Sequence, residues 1–343
     1  MKVALLYNLN RRASQAELEF DLPETIASLR AALSLAHEVC SIECARDIAS
    51  WLAELLRFRP EAIFSVAEGY QSAVREAFYP ALFEQLGVPF AGSDPTTMMF
   101  AQNKALSKSV ADSVGVSTPN WAVAASIEDL PMIARLLAYP MLVKPNSEGS
   151  SIGIDNGAVV SNFEELQSRV RYVWEELANL ALVEEYVPRG LDLSISYVED
   201  LGAEIFGPVA YNTGGADMYD HDWKSRSYLF PNIVIEPRGI SNILVRDLCD
   251  SFRRVIQALD VRGYARADFR LGPDGNCYFL EINTQVEMAE KAEFAVPVVR
   301  AGHKYDELVL HIVECAVKRG RRLPSSVGKR RIPFGWEPIS KLR

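Results

Sequence analysis

The chain has 343 residues, of which 49 % are hydrophobic and 24 % charged, an ordinary composition that excludes a disordered or collagen-like protein. It has no run of about 18 apolar residues, and the N-terminal MKVALLYNLNRR lacks a signal peptide's apolar segment and cleavage site, so we expect neither a membrane span nor secretion. The formal net charge is −9, and since residues 318–343 hold nine Lys or Arg and one Glu, the remaining acidic body disfavours nucleic-acid binding.

Strands and helices alternate over the first 90 residues. Apolar runs and helical periodicity predict strands at 3–8, 38–42 and 62–66 and helices at 24–36, 47–58 and up to residue 86. This βαβαβ order is typical of a parallel sheet, where ligands gather at the carboxyl ends of the strands. Glu68 and Gly69 follow the third strand. Glu68 is therefore a candidate site residue, with a solvated turn as the alternative.

The pattern changes after about residue 100. A helix is predicted at 103–114, and the GVSTP segment that follows it indicates a domain boundary near 100–118. The later predicted elements are a strand from 121, helices at 126–138, 162–178, 241–260 and 304–319, and strands at 141–144, 154–160, 182–187, 192–199, 203–211, 264–271 and 276–283. Neighbouring strands joined by short turns favour antiparallel sheets. The long loop 212–232 is a candidate functional segment.

A loop of small residues follows the strand that ends at Lys144. Its sequence, Gly149-Ser150-Ser151-Ile152-Gly153, matches the G-x-S-x-G pattern of serine hydrolases. That pattern requires a helix after the loop, whereas IDNGAVV predicts a strand, so a hydrolase is disfavoured. Backbone N–H groups of such a loop can approach phosphate oxygens closely, and Lys144 would add a positive charge. A solvated hairpin is the alternative.

Two carboxylates and an amide share one face of the predicted hairpin 264–283. Glu281 and Asn283 are two residues apart on one strand, and Asp268 lies on the other. These hard oxygen ligands suit Mg²⁺, which takes its other ligands from water and substrate phosphates. Arg266 is on the same face and could stabilise charge that develops on a reacting oxygen. A surface ion-pair cluster is the alternative.

These motifs together are similar to those of a known family. VKPNSEGSSIGI (143–154), LVEEYV, ARADF and FLEINT resemble ATP-grasp enzymes of the D-alanine–D-alanine ligase family, and the resemblance runs from Met1 to about Lys318. It implies an α/β and α+β protein with the ATP-grasp fold and an N-terminal Rossmann-like domain. The implied divisions are an N-terminal substrate domain at 1–102, a small lobe at 103–190, a large lobe with the metal site at 191–318 and a basic tail at 319–343.

The resemblance also implies site residues and a reaction. It implies ATP and Mg²⁺ (or Mn²⁺) as cofactors, with metal ligands Asp268, Glu281 and Asn283 and catalytic roles for Arg266, Lys224 and Ser150. The implied ATP contacts are Lys104, Lys144, Glu148, Gly149, Ser150, Ser151, Glu184, Glu185, Val187, Asp192 and Lys224. The implied reaction is ATP-dependent, ADP-forming C–N bond formation through an acyl phosphate, which needs no side-chain nucleophile.

The substrate half of the chain departs from the family pattern. The family's first-substrate Glu has Glu17 as its nearest counterpart, and Glu68 stands where the family commonly has His. Glu287 replaces a glycine that assists Arg266 in the family. The carboxylate-binding serine aligns with Ala292, which lies between Lys291 and Glu293. The candidate substrate-binding residues are therefore Glu17, Glu68, Arg266, Glu287 and Lys291.

The added acids predict altered substrates. Like charges brought together in a site of low dielectric cost several kcal/mol, so we expect a ligase of specialised metabolism that takes a cationic or polyhydroxylated group in place of a second D-alanine. The phosphoryl acceptor is a carboxylate or an enolic oxygen, for example of an enaminone. The alternatives are a housekeeping D-alanine–D-alanine ligase and a non-catalytic ATP-binding scaffold.

The remaining expectations concern partners and location. The partners are expected to be small-molecule carboxylate (or enolic) and amine substrates, with no nucleic acid and no membrane, and the resemblance implies a homodimer. Five cysteines without CxxC spacing predict reduced thiols in the cytoplasm. The basic tail is expected to dock on the acidic body or on a partner subunit, with nucleic acid or anionic lipid as the alternative.

Overall fold

The structure is a computed structural model that describes residues 1–11, 17, 19–70, 72–155, 157–211, 234–237 and 239–322. The predicted βαβαβ unit is confirmed: the first sheet has the order β2-β1-β3, with both strand pairs parallel. Its elements are β1 (Lys2–Tyr7), α1 (Pro23–Ser34), β2 (Glu38–Glu43), α2 (Ile48–Phe58), β3 (Ala62–Val66) and α3 (Phe78–Leu86). The carboxyl ends of β1 and β3 therefore lie side by side, with Asn8 and Glu68 just beyond them.

Two helices connect this sheet to the rest of the chain, α4 (Pro95–Gln102) and α5 (Lys104–Ser113). The sequence analysis predicted α5 and missed α4. The signals for α4 were present, since Asp94 caps it by accepting the Thr97 N–H at 3.0 Å and Pro95 occupies its first turn.

The second sheet has the order β4-β7-β5-β6 with antiparallel pairs. Its elements are β4 (Trp121–Ala124), α6 (Leu130–Leu136), β5 (Met141–Pro145), β6 (Val159–Val160), α7 (Phe163–Glu175) and β7 (Ala181–Glu185). The predicted strand 154–160 was too long, because its first residues turn instead of pairing with β5. The Ile154 N–H donates to the Ser151 carbonyl at 3.0 Å, and Gly153 has a positive φ of 72°.

The third sheet is antiparallel, in the order β10-β9-β8-β11-β12. Its elements are β8 (Leu191–Val198), β9 (Ile205–Tyr211), β10 (Val234–Ile235), α8 (Asn242–Leu259), β11 (Tyr264–Leu271) and β12 (Cys277–Asn283). The apolar side of α8, with Leu248, Phe252 and Val255, packs in one cluster with Ile195 and Phe269 of the sheet. The predicted β11–β12 hairpin is confirmed.

The last two helices are α9 (Ala295–Arg300) and α10 (Tyr305–Arg322). Leu308 and Ile312 of α10 share one apolar cluster with Leu5, Leu29 and Phe64, so the end of the described chain completes the core of the first sheet. The rest of the basic tail lies outside the described residues. All five cysteines carry free thiols in this structure. Within the described ranges, no helix has the length and apolarity needed to cross a membrane.

Candidate active site

A cleft lies between the second sheet and the third. Most of the residues that were predicted to bind ATP, to bind the metal or to act in catalysis line this cleft. They lie on or next to β5, β7, β8, β11 and β12 and in the glycine loop (residues 148–153). These are Lys144, Ser150, Ser151, Glu184, Glu185, Val187, Asp192, Arg266, Asp268 and Glu281. The fold thus gathers residues that lie more than 100 positions apart in the sequence.

A buried carboxylate lies between two lysines at the base of the cleft. Glu184 of β7 is 1 % exposed and contacts Lys144 Nζ of β5 at 2.8 Å and Lys108 Nζ of α5 at 2.6 Å. Burial alone would raise the pKa of Glu184, but the two lysines bring it below its ordinary value. Both carboxylate oxygens of Glu184 are thereby in contact with a lysine, while its implied contact with ATP stays a prediction.

Lys108 was missed by the sequence analysis. It is fully buried and also donates to Thr118 Oγ1 at 2.8 Å and to the Phe279 carbonyl at 3.2 Å. Burial lowers the pKa of Lys108 to about 8, although Glu184 opposes that shift. The available signal was its spacing, because Lys104 and Lys108 are four residues apart and share one face of α5.

Lys104 joins the two sides of the cleft. Its Nζ contacts Glu281 Oε2 at 3.2 Å and donates to the backbone carbonyl of Glu148 in the glycine loop. Burial would raise the pKa of Glu281, but Lys104, Lys144 and Arg266 together lower it to about 2. Glu281 is therefore held in its ionised form beside the cleft.

The predicted metal ligands lie together on the hairpin. Asp268 of β11 is directly opposite Glu281 of β12, and Asn283 Nδ2 contacts Asp268 Oδ2 at 3.2 Å. No group of three or more His, Cys, Asp or Glu suited to a metal occurs in the described part of the chain. Two carboxylates and one amide oxygen nevertheless fit Mg²⁺ or Mn²⁺, which would complete its coordination with substrate phosphates and water.

Arg266 lies beside these ligands and is held by two carboxylates. Its Nε and Nη2 donate to Asp268 at 3.0 and 2.7 Å, and its Nη1 donates to Glu293 Oε1 at 2.6 Å. Tyr211, the last residue of β9, places its hydroxyl 3.3 Å from the same Glu293 oxygen. Glu293 was not predicted as a site residue and was named only as a neighbour of Ala292, yet Glu293 is buried and lines the cleft.

The glycine loop is fixed at its start by the N-terminal domain. The Gly149 N–H donates to Glu19 Oε1 at 2.6 Å, and Arg75 pairs with both Glu19 and Glu148. A Cβ at position 149 would lie 2.5 Å from the Glu19 carboxylate, so a larger residue there would displace that carboxylate from its present contact with the loop. Neither Glu19 nor Arg75 was predicted as a site residue from the sequence.

The end of the loop is fixed by the second sheet's helix. Arg169 of α7 donates to the Gly153 carbonyl at 2.6 Å and contacts Asp155 at 3.0 Å. A Cβ on Gly153 would meet Pro145 at 3.0 Å. The loop over the cleft is therefore attached at both ends to different parts of the protein.

Comparison with known proteins identifies the family. A family model described as "D-ala D-ala ligase C-terminus" matches residues 106–314, which is more than half of the chain. The chain belongs to the D-Ala–D-Ala ligase family. It is an ATP-grasp ligase of the D-Ala–D-Ala ligase type, as the sequence motifs predicted.

Several relatives of this ligase are known. A D-alanine–D-alanine ligase of Pseudomonas entomophila is 29 % identical over 320 residues, which is 92 % of this chain and 93 % of the relative. An uncharacterised protein of Sinorhizobium fredii, y4sG, is 29 % identical over 265 residues, 75 % of each chain.

Solved structures agree on the ATP-grasp fold. The Bacillus anthracis D-alanine–D-alanine ligase complexed with ATP superposes with a TM-score of 0.73 at 19 % identity and covers 94 % of this chain and 99 % of that one. The Vibrio cholerae D-alanyl-alanine synthetase A has a TM-score of 0.74 at 16 % identity, with 93 % and 98 % covered. The predicted fold class is confirmed.

Several predicted substrate residues of the ligase lie away from the cleft. Glu17 accepts a hydrogen bond from the Arg11 backbone N–H at 2.9 Å, whereas Glu19 two residues later reaches the glycine loop. Glu287 and Lys291 are exposed on the segment after β12, and neither lines the cleft. Lys224 lies outside the described residues, so its role stays a prediction.

Glu68 belongs to a group of acids around Arg75. Its backbone N–H donates to Asn8 Oδ1 at 2.8 Å, which fixes the turn after β3. Burial raises the pKa of Glu68 well above its ordinary value, and nearby Glu76 and Glu19 add to that effect. Burial likewise raises the pKa of Glu76 to about 8, with Glu19 as the next contribution. Arg75 opposes this rise in the pKa of both carboxyls.

Replacing Glu76 by Gln should make stability less dependent on pH. A carboxyl whose pKa is higher in the folded protein contributes stability fully below its unfolded pKa of 4.5, and that contribution is lost as the pH rises through about 8. Relative to the wild type, the neutral Glu76→Gln variant should therefore gain in melting temperature between about pH 5 and pH 9, by about 2–4 °C for each kcal/mol of that contribution. Thermal unfolding measured across this pH range tests the prediction.

The matched control is Glu84→Gln, an exposed position on the neighbouring helix α3. It should leave the pH dependence of the melting temperature as in the wild type. Parallel pH profiles for the wild type and the Glu76→Gln variant would contradict the assignment of a protonated Glu76.

Proposed function

We propose that this ligase uses ATP to join an amine to a carboxylate or enolic substrate, and that its substrates are other than two D-alanines. The observation that carries the proposal is the contact between Lys104 of α5 and Glu281 of β12, at 3.2 Å. It brings a candidate ATP-binding lysine next to the candidate metal ligands. Such a pairing suits a triphosphate bound with Mg²⁺.

ATP would lie along the cleft between the two sheets. Lys144 and Lys104 would bind its phosphates beneath the glycine loop with Ser150 and Ser151, and the backbone of Glu185 and Val187 would contact adenine. The Glu185 side chain accepts hydrogen bonds from Asn120 Nδ2 and the Ala138 N–H, both at 2.8 Å, and its backbone N–H donates to the Asn120 carbonyl at 2.9 Å. Asp192, which pairs with Arg270 at 2.7 Å, would lie beside the ribose.

The reaction would proceed in two steps. An oxygen of the acid substrate attacks the γ-phosphorus of ATP, so that ADP leaves and an acyl (or enol) phosphate forms. The amine nitrogen then attacks the activated carbon, phosphate leaves with the bonding electron pair, and the nitrogen loses a proton. Arg266 would stabilise the negative charge on the reacting oxygen. A bound Mg²⁺ would supply neutralisation of phosphate charge.

The acids around the substrate side support substrates that differ from D-alanine. Glu68 and Glu76 lie near Glu19, with Arg75 already paired to Glu19 and Glu148. An additional substrate carboxylate would find Arg75 already paired, whereas a cationic group would stabilise the ionised forms of Glu68 and Glu76, and a polyhydroxylated group could hydrogen-bond to them in either form. We also propose a homodimeric, cytoplasmic enzyme, on the basis of its family.

Incubation of the purified protein with ATP and Mg²⁺ tests the proposal. D-Alanine alone is compared with pairs of acids and amines, with phosphate release and mass spectrometry of the condensed product as readouts. We expect ADP-forming condensation with a mixed pair and little D-alanyl-D-alanine. Robust synthesis of that dipeptide would instead indicate a housekeeping ligase, and absence of nucleotide binding by calorimetry would contradict the enzyme assignment.

A further inference from the structure

Among the described residues, every cation that lines the cleft is already paired with a carboxylate. Lys144 pairs with Glu184 at 2.8 Å, and Arg270 pairs with Asp192 at 2.7 Å. Arg266 is paired twice, and each of its three guanidinium nitrogens donates to a carboxylate oxygen. A substrate carboxylate that entered this part of the cleft would therefore compete with a protein carboxylate for its cation.

Glu293 is held firmly where it faces Arg266. The Tyr211 hydroxyl that lies 3.3 Å from its Oε1 is itself 3.0 Å from Ser194 Oγ of β8. The backbone of the same segment is fixed as well, since Ser196 Oγ donates to the Phe294 carbonyl at 3.0 Å. These contacts come from β8 and β9 of the third sheet, so the Glu293 carboxylate is part of the cleft wall and not of a surface loop.

We propose that Glu293 is a specificity-determining residue that selects an amine substrate without a carboxylate beside its amino group. This inference rests on the proposed function. A neighbouring substrate carboxylate would meet Glu293 and Asp268 around a single Arg266, whereas an ammonium or hydroxyl group could bind to Glu293 directly. Rejection of like charge in a buried site is an effective means of specificity.

Matched amine pairs test the selection. Amine binding is measured by calorimetry on protein loaded with Mg²⁺ and a non-hydrolysable ATP analogue. The three pairs are cadaverine and L-lysine, agmatine and L-arginine, and D-alaninamide and D-alanine. In at least one pair, the member without a carboxylate should bind about 10-fold more tightly or better, since 10-fold corresponds to about 1.4 kcal/mol. Equal affinity, reversed affinity or no amine binding would overturn the proposal.

A neutral variant separates the role of Glu293 from a structural one. Glu293→Gln keeps the side-chain shape and should reduce the preference by about 10-fold, while the affinity for the ATP analogue stays unchanged. Tyr211→Phe, which removes one contact to Glu293, should give a smaller change in the same direction. Glu290→Gln, an exposed site on the same segment, should retain the wild-type preference.

The outcomes separate the two proposals. An amine preference that is unchanged in Glu293→Gln would overturn the role of Glu293 and leave the ligase assignment intact. Failure of the wild-type protein to bind the ATP analogue would instead overturn the proposed function.

Discussion

Replacing Asp268 by Asn should lower ATP turnover by about 10²–10³-fold, the effect typical of losing one preorganised electrostatic group. Asp268 faces Glu281 across the hairpin and also holds Arg266 by two hydrogen bonds. The substitution keeps the shape but removes one negative charge from the metal site. It also loosens the arginine that would stabilise the reacting oxygen, so binding of Mg²⁺ and the chemical step should both suffer.

Phosphate release measured over a range of Mg²⁺ concentrations tests this prediction, together with calorimetric binding of Mg²⁺ and an ATP analogue. The variant should need more Mg²⁺ for half-maximal nucleotide binding. Asp250→Asn is the matched control, because Asp250 is 69 % exposed and pairs with Arg253 on α8. Turnover by the Asp268 variant within a few-fold of the wild type would rule out the proposed metal site.

Replacing Glu184 by Gln should reduce the free energy of unfolding by about 3–5 kcal/mol, the range for removing one partner of a buried ion pair. Glu184 is the shared partner of Lys108 and Lys144, and both lysines are buried. Without the carboxylate, two positive charges lie close together in a region that water reaches poorly. Lys108→Met should cost less, because Glu184 keeps its contact with Lys144.

Urea unfolding followed by circular dichroism, at neutral pH and without nucleotide, measures the difference. Glu176→Gln serves as the control, because Glu176 is exposed just after α7. The expected order of stability is control, Lys108→Met and then Glu184→Gln. A Glu184 variant as stable as the control would contradict the view that this carboxylate neutralises the two lysines.

Features that depend on local pattern could be predicted from the sequence. The alternation of strands and helices in the first sheet and the β11–β12 hairpin follow from hydrophobic period and turn chemistry. The i and i+2 rule places Glu281 and Asn283 on one face. The pairing of Asp268 with Glu281 depends in addition on a register shift between Asp268 and Phe269, which the Pro-Asp-Gly turn alone does not predict. The strand predicted at 141–144 likewise placed Lys144 at its end, beside the cleft.

Features that depend on tertiary packing could not be predicted. The choice between Glu17 and Glu19 at the glycine loop is decided by the path of the chain after β1, which no local pattern fixes. Arg75 and Glu293 acquire their partners only when segments far apart in the sequence meet. The docking of α10 on α1 likewise depends on a pairing between the two ends of the described chain.

The attachment of the glycine loop at both ends has a consequence for the order of events. Gly149 is held by Glu19 of the first domain, whereas Gly153 is held by Arg169 of the neighbouring lobe. If these two parts of the chain move apart, one of the two attachments must break or the loop must stretch. We therefore expect any opening of the proposed ATP site to be coupled to the contacts that Glu19 makes with Arg75 and Gly149.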